Sequence, residues 1–189
     1  MLIIAQKLSS LHFSKLMHVY QESNIENGSI HYPGLTAERQ EAAAEQDFYQ
    51  YLKEVFFRQE NSFYAVWEAD GEYFAALRIE PYRDGSLLCA LETAPDSRCK
   101  GYATTLVKHV IQYLSEFGDS VIYSHVSKHN DSSLAVHNKC GFSITDDCAV
   151  YSDGSVLSSS YTLKLVYKKT GSDYDMYPVF WTLSFELNN

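Results

Sequence analysis

Leu-Leu-Cys-Ala-Leu-Glu-Thr-Ala-Pro over residues 87–95, Asp-Ser-Arg-Cys-Lys-Gly-Tyr-Ala over 96–103 and Thr-Thr-Leu-Val-Lys-His-Val-Ile-Gln-Tyr-Leu over 104–114 read as strand, tight loop and helix. The apolar run is stopped by Pro95, which has no N–H to give to a sheet ladder. In the third part Ala103, Leu106, Val107, Val110, Ile111 and Leu114 make one apolar stripe at helical spacing, and Gly118 is placed to end the helix.

Where the loop becomes the helix, the first-turn N–H groups have no carbonyl partner. Gly101 allows close backbone approach, Ala103 leaves the next turn uncrowded, and Arg98 and Lys100 add positive charge to the helix dipole. The segment suits a diphosphate, although an ordinary strand-to-helix turn with two solvated basic residues has the same local sequence.

A second segment decides between these. After the strand-like Val121-Ile122-Tyr123-Ser124-His125-Val126 comes a loop with Asn130, then Ser133, His137, Lys139 and a terminal Gly141-Phe142. The pair resembles the GNAT superfamily of N-acetyltransferases. The family's Arg/Gln-x-x-Gly-x-Gly/Ala signature is matched by Arg98, Gly101 and Ala103. Its Val-x-x-x-Asn signature, with a short helix and Gly-Phe after it, is matched by Val126, Asn130, Gly141 and Phe142. The resemblance covers about residues 62–167.

It implies an α/β fold, an α+β mixed and mostly antiparallel splayed sheet flanked by helices, that takes acetyl-CoA as co-substrate. It also implies a cofactor site made of Leu91, Thr93, Arg98, Cys99, Lys100, Gly101, Tyr102, Ala103, Thr104, Asn130 and Ser133. Backbone N–H groups near Thr93 are expected to polarise the thioester carbonyl. The oxygen of Asn130 either bonds the pantetheine arm or caps the short helix, since one side-chain oxygen cannot do both fully.

Acetyl transfer to an ammonium needs a base, and the departing thiolate needs a proton. Relatives often carry the base at the positions of Leu87 and Cys89, and neither residue suits the role. Two carboxylates are candidates. If Asp84-Gly85 is a two-residue hairpin turn, Glu80 lies opposite Cys89, Arg78 opposite Leu91 and Leu77 opposite Glu92, so Glu80 and Glu92 occupy opposite faces. Glu80 is then the nearer base, unless it is a sheet carboxylate paired with Arg78. Seven residues after Asn130, where many relatives have a tyrosine acid, stands His137, either a general acid or a packed histidine.

The remaining chain fits one domain, 1–189, with a core over 62–167 and an extension over 172–189. Its 189 residues are 46% apolar and 14% aromatic, enough for one buried core. Leu2 to Ile4 opens as a strand. A helix follows, capped by Ser9 or Ser10 and carrying Phe13, Leu16, Met17 and Tyr20. Asn24 to Gly34 reads as a loop, with His31 and Tyr32 as candidates for acceptor contact. Thr36 caps the longest helix, whose stripe is Ala44, Phe48, Leu52, Val55 and Phe56. Two Asp-Gly hairpins then join three antiparallel strands between Phe63 and Thr93. After Phe142 come strands over 143–151 and 161–167 with an Asp153-Gly154 turn. An apolar stretch over 177–187 is expected as an extra C-terminal strand, buried on its own sheet or in a homodimer.

Charge and cysteines limit the function. A net charge of −9 with no basic cluster argues against nucleic acid and leans towards a cationic substrate. No apolar run approaches a membrane span and no leader is recognisable, so the expected location is the cytoplasm. Cys89, Cys99, Cys140 and Cys148 show no metal-ligand rhythm, and no metal is expected. The expected activity is acetyl transfer to the primary amine of a small molecule or peptide. A non-catalytic acyl-CoA-binding or sensor module is the alternative.

Overall fold

The computed structural model describes residues 1–118 and 120–167; the stretch expected as an extra strand over 177–187 lies outside them. Seven strands form one sheet in the order β1-β2-β3-β4-β5-β9-β6. They are β1 Leu2–Ala5, β2 Phe63–Ala69, β3 Glu72–Tyr82, β4 Gly85–Thr93, β5 Ser120–Ser127, β6 Ser143–Asp146 and β9 Ser160–Tyr167. Only β4 and β5 run parallel. β7 Ala149–Val150 and β8 Val156–Leu157 make a separate hairpin around Asp153-Gly154.

Strand alternation gives the sheet two apolar faces and hence two cores. On one face Tyr64, Val66 and Ala76 pack against α1 Phe13–Val19, α2 Gln21–His31 and α3 Ala37–Glu54, through Leu16, Tyr20, Leu52 and Phe56. On the other, Ala65, Leu77, Ile79 and Leu88 pack against α4 Tyr102–Ser115 and the end of α5 Asp131–Lys139. The predicted stripe of α4 supplies Leu106, Val107 and Val110 as its buried residues. Among the described residues no helix is long and apolar enough to cross a membrane.

Four local expectations are corrected. Residues 24–31 are helical, not a loop, and α2 crosses α3 so closely that a Cβ on Gly28 would lie 2.5 Å from the Gln40 carbonyl oxygen. That glycine serves helix contact rather than a turn. Leu8–Ser10 is a 3₁₀ turn and His12 occupies the N-cap of α1, so neither serine caps it. Val55 ends α3 and is exposed, because the chain turns into Phe56–Arg58 there and Phe56, with Phe57 beside it, goes inward instead.

The fourth correction is the β3–β4 register. Tyr82 pairs with Gly85, so the hairpin turn is Arg83-Asp84, with Arg83 at φ 48°. Gly85 is already in the strand, where a Cβ would lie 2.1 Å from the Val121 carbonyl oxygen of β5. Glu80 therefore pairs with Leu87 and Arg78 with Cys89. Further along, Ala76 pairs with Glu92, because a β-bulge intervenes. Ala90, at φ 48°, lies in the strand segment that holds the extra residue.

Candidate active site

The bulge sets which way the carboxylates face. Cross-strand partners share a sheet face, and so do residues two apart in one strand. Ala76, Arg78 and Glu80 share a face of β3, so their partners Glu92, Cys89 and Leu87 share it too. Glu80 and Glu92 are thus on one face, against the expectation of opposite faces. The bulge carbonyl is held in place: the buried Tyr20 hydroxyl donates to Ala90 O at 2.7 Å. Burial raises the Tyr20 pKa well above that of a free phenol, so it remains a donor.

Over this face, between the sheet and α2 and α3, is a cavity of about 570 Å³. Arg78, Ala90 and Glu92 form its floor, and Tyr20, Phe48 and Tyr51 are among its walls. His31 and Tyr32, at the end of α2, line it as well, and Tyr32 donates a hydrogen bond to Asp47. Glu92 accepts from the Ser23 hydroxyl at 2.5 Å. Burial raises the Glu92 pKa, opposed by the Ser23 hydrogen bond and by Arg98 and reinforced by Glu22 and Glu26. A carboxylate that is mostly removed from water and held by one hydrogen bond is suited to take a proton. Glu80 is engaged otherwise, 3.7 Å from Arg78 Nε and 3.5 Å from the Tyr51 hydroxyl.

On the other side of Ala90, β4 and β5 pair only through Ser86–Leu88 and Ile122–Ser124, then part. The Ser124 hydroxyl closes the paired end by donating to Leu88 O at 3.0 Å. Beyond it lies a cleft of about 170 Å³, lined by Leu91, Asn130, Ser133 and His137 among others. Ala90 lines both cavity and cleft. Cys89 lines the cleft as a thiol that burial pushes up to about 12, unsuited to serve as a nucleophile near neutral pH.

At the start of α4, Thr105 is the first residue whose N–H finds a carbonyl, Gly101 O at 3.0 Å. The N–H groups of Tyr102, Ala103 and Thr104 have no acceptor among the described residues, and no side chain caps the helix. Cys99 at φ 60° and Gly101 at φ 84° curl the backbone before it, a form that favours an anion. Tyr102 stacks on Phe74 with ring centres 4.7 Å apart, fixing the first turn to the sheet. The basic residues contribute less than their positions suggested. Arg98 pairs with Glu22 at 2.7 Å and Lys100 donates to Asp96 O at 3.0 Å. Thr93 pairs with Ala75 at the far end of β4 and does not line the cleft.

Asn130 resolves its two roles by dividing them. Its Oδ1 accepts the Ser133 N–H at 2.9 Å and caps α5, leaving its amide N–H₂ and one oxygen lone pair to offer the cleft. His137 is 1% exposed. Its Nδ1 lies 2.8 Å from Ser133 O, and a carbonyl only accepts, so Nδ1 carries the proton. Nε2 then holds a lone pair, and it is buried without a partner among the described residues. Burial lowers the pKa of the ring, against the opposing pull of the Ser133 carbonyl. With the proton on Nδ1, the nitrogen left open is an acceptor.

Several residues of this site had no distinctive sequence signal. Asn24 opens the stretch expected as a loop, Ser23 stands just before it, and Tyr20 belongs to the expected stripe of the first helix. A tyrosine, a serine and a glutamate far apart in sequence meet only because the bulge turns Glu92 towards α2.

Comparison with known proteins bears on the fold and the family. No curated protein matches the sequence. The fold is similar to that of the ribosomal-protein-S18-alanine N-acetyltransferase from Escherichia coli, with a TM-score of 0.59 and 16% identity over 94% of this chain and 99% of that one. It is also similar to the PaiA N-acetyltransferase from Thermoplasma acidophilum in complex with coenzyme A, with a TM-score of 0.58 and 16% identity over 88% and 99% of the two chains. The profile of the acetyltransferase (GNAT) family matches residues 20–142, which include α2, the bulged strand, the α4 loop and α5. The chain belongs to the acetyltransferase (GNAT) family.

Proposed function

We propose that this protein transfers the acetyl group of acetyl-CoA to a primary amine by direct attack. The observation that carries the reading is the meeting of cavity and cleft at Ala90, with Glu92 on the cavity side. Acetyl-CoA supplies an acyl group already activated as a thioester. This chain's residues fit it: unpaired N–H groups at the start of α4 for the diphosphate, a parted β4–β5 cleft for the arm, and the Asn130 amide and His137 Nε2 for its polar groups.

Glu92 takes the proton from the acceptor's ammonium and leaves a free amine for attack. Its raised pKa helps, because a base near the working pH receives the proton more readily than a free carboxylate does. Ser23 and the cavity walls hold that carboxylate in place. Glu80 keeps its partners Arg78 and Tyr51 and positions them. His137 holds an N–H of the pantetheine arm through Nε2. No cleft-lining side chain among the described residues offers a readily lost proton, so the proton for the sulfur is assigned to water.

The test is a thiol assay of the full chain with acetyl-CoA against primary amines, from amino acids to polyamines and peptides. Transfer predicts release of CoA above the amine-free background for at least one class. A flat response across the whole panel would overturn transfer and return the site to an acyl-CoA-binding module.

A further inference from the structure

Arg78 is a cation on the cavity floor to which acetylation of a simple amine gives no contact with substrate. An ammonium acceptor needs negative charge around it, and Glu92 and Asp47 provide that. A cation in the same cavity repels a simple amine or polyamine. Yet Arg78 lines the cavity with its side chain only 17% exposed, on the inner strand β3 two residues from the partner of Glu92. It is held firmly: its guanidinium stacks on Tyr51 at 5.0 Å and Phe56 at 5.7 Å, and Nε lies 3.7 Å from Glu80.

What it lacks is a close hydrogen-bond acceptor. Nε is buried with none, Glu80 standing at 3.7 Å, and no side chain among the described residues is hydrogen-bonded to the two terminal nitrogens. A guanidinium has five N–H donors in a planar fork that matches a carboxylate. Leaving such a group unsatisfied in a folded protein is costly, which points to a ligand that completes it.

We infer that the acceptor carries a carboxylate as well as its amine: the cavity takes an α-amino acid, with the carboxylate on Arg78 and the amino group towards Glu92. Ala76, the partner of Glu92, and Arg78 are two residues apart on β3, a separation of about 7 Å. Two side chains rising from that base can grip the two charges of one small zwitterion. Tyr20, Phe48 and Tyr51 offer an aromatic wall against which an apolar side chain of the amino acid can pack, beside the polar Asn24, Asn27 and His31. This inference rests on the proposed acetyl transfer and adds the class of acceptor.

The test compares matched pairs on the wild-type protein, which avoids dependence on any variant's folding. L-Phenylalanine, L-leucine and L-methionine are each set against the amine left by removing the carboxylate, and CoA release is measured with acetyl-CoA in excess. Charge-assisted hydrogen bonds of this kind predict kcat/KM about 10- to 100-fold higher for the amino acids. Arg78→Lys should raise KM for the amino acids by about 10-fold more than it raises KM for the decarboxylated amines. Equal or better turnover of the decarboxylated amines would overturn the inference and leave acetyl transfer standing. If no amine of any kind releases CoA, transfer itself has failed, and calorimetry on the CoA-saturated protein decides the inference. Binding of L-phenylalanine that phenethylamine does not reproduce and that Arg78→Met weakens supports it; no binding, or binding indifferent to the carboxylate, overturns it.

Discussion

Cys89 and Glu92 are three residues apart on β4 and yet face the same side of the sheet, because a bulge with Ala90 in a left-handed conformation lies between them. In an unbroken strand an odd separation puts two side chains on opposite faces. The bulge therefore transfers Glu92 from the α4 side to the α2 side, where Ser23 and the acceptor cavity are. It also bends β4 away from β5, so one irregularity accounts for both the base's direction and the opening of the cleft.

The α2–α3 contact predicts a defect in acceptor binding. A Cβ at Gly28 would meet the Gln40 carbonyl, which is backbone and cannot swing aside. Gly28→Ala should cost about 1–3 kcal/mol, seen as a fall in melting temperature of several degrees. Because α2 carries Ser23 and His31, KM for the amine should rise while acetyl-CoA affinity is kept. Calorimetry with acetyl-CoA and steady-state kinetics separate the two effects.

Gly101 should be needed for acetyl-CoA. Its φ of 84° penalises any other residue by about 1–2 kcal/mol, while a Cβ there would meet no atom within 4 Å. Gly101→Val should therefore fold at a modest cost but turn the backbone away from the curl that exposes the N–H groups of α4. At about 100 times its dissociation constant, acetyl-CoA stabilises the wild type by about 2.7 kcal/mol. That rise in melting temperature should vanish in the variant, and an unchanged rise would remove the anion-loop assignment.

His137→Phe distinguishes the acceptor role from the acid role. With Nδ1 bound to Ser133 O and the pKa lowered by burial, the ring should contribute affinity for the arm. The variant should raise KM for acetyl-CoA by about 3- to 10-fold, the worth of one hydrogen bond, with kcat reduced less than that. Loss of a true general acid would instead lower kcat by about 10²- to 10⁴-fold at unchanged affinity.

The sequence carried the periodic elements well. The stripe of α4, the start of α3 at Thr36 and the order of the three-strand meander follow the hydrophobic spacing, although the β3–β4 turn and register do not. What escaped were features set by tertiary contact. Gly28 and Gly85 look like turn residues, and each is instead a place where two backbones approach too closely for a side chain. Ala90 gives no local sign of a left-handed conformation, so the bulge and the face of Glu92 could not be read. In the same way the proton on His137 follows from a carbonyl four residues back in its own helix, which a motif position does not reveal.

The account turns on Glu92 as the base, and the pH dependence of kcat/KM in the wild type and Glu92→Gln tests it most directly. Burial raises the carboxyl pKa above its ordinary 4.5, and only the ionised form accepts a proton. Wild-type activity should therefore rise with pH through an acidic limb centred above 4.5 and then level. Glu92→Gln should lose about 10²- to 10⁴-fold and show no such limb, with acetyl-CoA affinity retained. A Gln variant within about threefold of wild type, with the same acidic limb, would contradict the assignment, because the loss expected for a positioned base is far larger.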